Sequence, residues 1–109
     1  MISVVITKHN NKYSKVSLDG HAGYADHGQD IVCAAVSALT IHTANALTEL
    51  CSDGAEVQQS EEDARIRVTV AGRHSAEAEV LLSALEMSFS AMEEEELYRD
   101  YIDVHYEEV

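Results

Sequence analysis

Residues 30–50, DIVCAAVSALTIHTANALTEL, contain no glycine and no proline, and from residue 31 to residue 41 they are apolar or small nearly all round. A helix of that composition cannot lie with one stripe down and the rest in water, so one face must meet a sheet and another a further surface, such as a second subunit. Its alanines, serines and threonines permit close approach. Asp30 is a residue type that caps free backbone amides, which predicts a helix starting just after it.

The flanking segments supply the sheet. Residues 1–7 alternate with Ile2, Val4 and Ile6 on one side, and residues 13–19 alternate with Val16 and Leu18. Between them His-Asn-Asn-Lys holds two asparagines, which tolerate the left-handed backbone of a tight hairpin. Residues 55–59 predict a third strand. A fourth places Ala64, Ile66, Val68 and Val70 inward with Arg65, Arg67 and Thr69 outward, after a turn at Ser-Glu-Glu-Asp. Ser75 is the expected N-cap of a second helix whose stripe Ala78, Leu82, Leu85, Phe89 and Met92 is amphipathic, leaving Glu86, Glu93 and Glu94 on the wet side. Residues 101–109 alternate Ile102, Val104 and Tyr106 against Tyr101, Asp103 and His105, as a half-buried strand does. The order is ββαββαβ, an α+β fold with an antiparallel or mixed sheet of about five strands and two helices packed on it.

A length of 109 residues suits a single domain spanning 1–109. Twenty acidic against seven basic residues give a formal charge of −13, which repels phosphate backbones and argues against direct nucleic-acid binding. The apolar run at the amino terminus has no basic head and is too short for a signal peptide or a membrane span. Two cysteines without a CxxC pattern make no disulfide framework, and a reducing cytoplasm is the expected compartment.

The chemistry concentrates in GHAGYADHGQDIVCAAVS, residues 20–37. With Asp30 as N-cap, Cys33 occupies the third helical position, where the helix dipole and unpaired amides favour a thiolate and could hold an oxyanion. His21 lies at the end of the second strand, and the intervening loop can return it to the sulfur as a Cys/His nucleophile and base. Gly20, Gly23 and Gly28 allow close backbone approach to an extended substrate. On spacing alone the usual reading is that Cys33 is a small buried hydrophobe and His21 a solvated loop residue. Asp26, Asp30 and Ser37 all qualify as a third member, and spacing does not choose among them. The crowd of His21, Asp26, His27, Asp30 and Cys33 also admits a metal reading, although a structural zinc site usually has more thiolates or a helix-borne histidine pair. Cys51, His9, His42, His74 and His105 carry no partner motif.

The same stretch resembles the signature of the ribosomal-processing cysteine protease family, Prp: Gly-His-Ala, a short loop, then Gly-x-Asp-Ile-Val-Cys-Ala-Ala-Val-Ser. The resemblance implies a small cytoplasmic thiol protease, usually a homodimer, that removes an N-terminal extension from large-subunit ribosomal protein twenty-seven. By that resemblance Cys33 is the nucleophile and His21 its base. Gly20, Ala22 and Gly28 match the family's loop positions, Asp30 its helix-start acid, and Ser37 its residue one turn beyond the cysteine. Its flexible loop maps onto residues 22–29. It implies no metal and no cofactor. The acidic run 93–96 belongs to this sequence alone. A non-catalytic acidic ribosome-associated protein that binds the same peptide is the alternative.

Overall fold

The computed structural model describes residues 1–20, 27–60, 65–70 and 74–109, the backbone alone at 27–30. Its elements are β1 (Ile2–His9), β2 (Lys12–Asp19), α1 (His27–Leu50), β3 (Ala55–Ser60), β4 (Arg65–Val70), α2 (Ala76–Glu94) and β5 (Ile102–Glu108). The expected ββαββαβ order and α+β class hold. One five-stranded mixed sheet runs β3-β4-β2-β1-β5, with β5 parallel to β1 and every other pairing antiparallel.

The hairpin forms as its asparagines require. Asn10 and Asn11 take φ of 51° and 65°, the left-handed pair whose twist matches the flanking strands. Its register carries one irregularity that simple alternation does not reveal. Thr7 pairs with Lys15 while Lys8 pairs with Tyr13, so Ser14 is an extra residue on β2. That bulge turns Tyr13 toward α2, where its hydroxyl donates to Glu86 Oε1 at 2.7 Å and accepts from Ser83 Oγ at 3.3 Å.

Both helices cover one face of the sheet. The five predicted residues of the α2 stripe, Ala78, Leu82, Leu85, Phe89 and Met92, are all buried against Ile2, Val4, Ile6, Val16, Leu18 and Ile102. Phe89 is fully enclosed. α1 contributes Val32, Val36 and Leu47 to the same core. Its buried Thr40 and Thr43 donate to the carbonyls of Val36 and Leu39, each at 2.8 Å, so both buried hydroxyls have partners. Ile31–Leu50 is apolar and long enough to cross a membrane by composition, with a mean hydropathy of 1.5. Of that stretch 33% is buried in the fold, against the sheet and α2.

Ser75 caps α2 as expected, its Oγ accepting from the Ala78 amide at 3.2 Å. The cap is itself held by buried Asp53, whose carboxylate takes the Ser75 hydroxyl and, at 2.8 Å, the Ser75 amide. These bonds hold the Asp53 carboxyl below the usual carboxylate range.

Four expectations are corrected. α1 begins at His27, so Asp30 lies within the helix and is not its N-cap. Glu86 and Glu93 are not on the wet side: Glu86 accepts from Tyr13, and Glu93 Oε2 accepts the Val104 amide at 2.9 Å, tying α2 to β5. Tyr106 is 56% exposed, on the edge strand β5. The inward placement of Ala64 lies outside the described residues.

Candidate active site

Cys33 is the seventh residue of α1, because the helix starts at His27. The thiol therefore sits in the second turn, and the amide of Cys33 belongs to the helix's own i→i−4 ladder. The unpaired amides at a helix start are those of its first turn, residues 27–30, so those of 31–33 do not form the expected oxyanion site. The dipole's effect on the sulfur is weaker than a third-position cysteine would feel, since it falls off beyond the first turn.

What position denies, shape supplies. Cys33 is half-buried in the wall of a cavity of about 160 Å³. Val36 and Ser37, one turn on, continue that wall, and Gly20 closes it where β2 ends. Its floor is a row of neighbours across three strands, Leu18 beside Ile66 and Ile66 beside Gln59, with Ile2 at one side. Ser60 and Arg65 stand at the rim. The Arg65 Nε donates to Asp19 Oδ1 at 2.8 Å and pins the ends of β2 and β4 together beside the opening. Both partners are nearly half exposed, so the pair sets geometry more than stability.

Three of the predicted site residues, Gly20, Cys33 and Ser37, thus share one cavity. His21 follows Gly20 directly in the chain, but it lies outside the described residues with Ala22, Gly23 and Asp26. Gly28 and Asp30 lie on the first turn of α1, so the loop mapped to 22–29 gives up its last three residues to the helix. Gln59, Ser60, Arg65 and Ile66 were not anticipated. They come from β3 and β4, far from the motif in sequence, and no local pattern marks them.

Cys51, the second free thiol, is placed differently. It follows α1 near Asp53, and partial burial together with the Asp53 and Glu77 carboxylates pushes its pKa up, which disfavours the nucleophilic thiolate. Among the described residues, no group of three His, Cys, Asp or Glu side chains is placed to hold a metal ion. Of the crowd behind the metal reading, His21 and Asp26 lie outside the described residues, and His27 and Asp30 are described in backbone alone.

Comparison with known proteins agrees with this picture. A family model described as Cysteine protease Prp matches residues 1–103. The ribosomal processing cysteine protease Prp of Staphylococcus aureus is 31% identical over 107 residues, covering 97% of this chain and 99% of its own. The Bacillus subtilis protein of that name is 39% identical over 51 residues, 46% of each chain. The crystal structure of Staphylococcus aureus Prp in complex with a substrate peptide superposes with a TM-score of 0.88 at 30% identity, covering 98% of this chain and all of that one. The motif, the fold and the length of the match agree: the chain belongs to the ribosomal-processing cysteine protease family, Prp.

Proposed function

We propose that this protein is a thiol endopeptidase that removes the N-terminal extension of large-subunit ribosomal protein twenty-seven, with Cys33 as nucleophile and His21 as base. The observation that carries the reading is that Cys33 lines a cavity closed by Gly20, the residue directly before His21. The relatives support it: one Staphylococcus aureus Prp structure holds a substrate peptide, and another a covalently linked product peptide, as a protease working through a covalent intermediate can produce.

In the proposed reaction the Cys33 thiolate attacks the scissile carbonyl and the C–N bond breaks as His21, holding the thiol's proton, gives it to the leaving amine. Water, deprotonated by His21, then attacks the thioester and returns the sulfur with the carboxylate product. Ser37, Asp30 and the backbone at Gly20, Ala22 and Gly28 orient the peptide. The side chains of Ile2, Leu18, Val36 and Ile66 make the cavity apolar, so it admits a single apolar side chain beside the sulfur. No metal or cofactor takes part.

The working protein is a cytoplasmic homodimer in this reading. Ile31, 52% exposed, with Ala34 and Ala38, gives α1 an outward apolar stripe next to the cavity, a surface a second copy can cover. The charge of −13 attracts a basic ribosomal protein before it meets ribosomal RNA, and raising the ionic strength lowers kcat/KM if this steering operates. The test is incubation with a peptide spanning the extension junction, product masses being read for cleavage at one bond. Binding without cleavage would favour the non-catalytic alternative.

A further inference from the structure

We propose that the outer edge of β3 is the docking strand for the substrate's main chain, so that the peptide joins the sheet as a sixth strand and is led along it to Cys33. The proposal rests on the protease reading above.

Sheet topology comes first. β3 ends the order β3-β4-β2-β1-β5, with β4 on one side and no described strand on the other. In an antiparallel pair every second residue turns its N–H and C=O away from the partner, so β3 offers a row of outward donors and acceptors. Its six residues pair with β4 in unbroken register from Ala55 to Ser60, which makes that row regular.

The edge also leads to the chemistry. Gln59 and Ser60, at its C-terminal end, line the cavity that contains Cys33. A chain paired with β3 therefore passes the cavity mouth without turning. Because side chains alternate along a strand, every second peptide residue faces the cavity side while its neighbours face the opposite side of the sheet.

The two edges of the sheet differ as this role requires. β5 carries Asp103, Glu107 and Glu108, charges of the kind that discourage strand addition. β3 reads Ala-Glu-Val-Gln-Gln-Ser: one charge, no lysine, no proline and no bulge. Glu56, Val57, Gln58 and Gln59 are all exposed. Main-chain pairing there supplies affinity independent of side chains, and the cavity selects the residue beside the scissile bond.

Amide hydrogen exchange on the Cys33→Ala protein, with and without the extension-junction peptide, is the first test. Saturating peptide should slow exchange by about tenfold or more at alternate β3 amides, either 55, 57 and 59 or 56 and 58, the effect of one or two new hydrogen bonds. The second test leaves the enzyme untouched: single N-methyl groups are placed along the peptide and cleavage by the parent protein is measured. Methylation at alternate residues should raise KM about tenfold, with the residues between them affected far less. Peptide binding that leaves β3 exchange unchanged, or cleavage with no period-two response to methylation, overturns the proposal. A junction peptide that is neither bound by the variant nor cut by the parent overturns the protease reading itself, and this inference with it.

Discussion

Gly20, where β2 ends, and Cys33, in the second turn of α1, line the same cavity although they belong to different layers of the fold. The thiol thereby lines a cavity at the place where the described part of the β2 segment ends. Its counterpart Cys51 has its pKa raised by partial burial and by the Asp53 and Glu77 carboxylates. A junction peptide ending in an alkylating ketone should therefore label Cys33 and spare Cys51 at neutral pH, as peptide mapping would show. Labelling of Cys51 first would contradict the assignment.

Phe89 is the chain's only phenylalanine and is fully enclosed between α2 and the sheet. Phe89→Ala removes its buried area and leaves a cavity, so urea unfolding should show a loss of about 3–5 kcal/mol. A loss below about 1 kcal/mol would mean that the core collapses around the gap.

Asp53 and Ser75 predict a specific acid response. The carboxyl is more acidic folded than unfolded because the Ser75 hydroxyl and amide bond its charged form. Its contribution to stability is therefore complete above the unfolded value of about 4 and is lost as pH falls through the lower folded value. The Tm difference between the parent and Asp53→Asn should be constant from neutral pH down to about pH 5 and narrow below about pH 4. A difference that grew on acidification would have the wrong sign.

The hydroxyl of Tyr13 ties the bulged hairpin to Glu86 and Ser83 on α2. Burial comes first among the causes that raise its pKa, with Glu86 adding to it. Tyr13→Phe leaves Glu86 half-buried without its donor and should cost about 1–2 kcal/mol in equilibrium unfolding while leaving peptide cleavage unchanged.

The contrast between these elements shows what was legible from sequence. The α2 stripe and its Ser75 cap were legible because an amphipathic period and a capping residue are local signals. The Asn10-Asn11 turn was legible for the same reason. The bulge at Ser14 was hidden, since Tyr-Ser-Lys-Val alternates acceptably in either register. The start of α1 was misplaced because Asp26 and Asp30 are both capping types and Gly28 lowers helix propensity between them. Glu86 and Glu93 looked solvated because their partners, Tyr13 and Val104, lie on other elements. In the site, the motif identified Gly20, Cys33 and Ser37. The part of the floor and rim made by Gln59, Ser60, Arg65 and Ile66 is assembled by strand pairing and carries no local mark.

In the proposed reaction Cys33 and His21 together cut one peptide bond. The most direct measurement is mass spectrometry of the extension-junction peptide after incubation with the parent protein, Cys33→Ala and His21→Ala. The expected result is a single cut by the parent, and turnover reduced by at least about a thousandfold in both variants, because nucleophile and base act as a unit. Cleavage by Cys33→Ala at the parent's rate would contradict it.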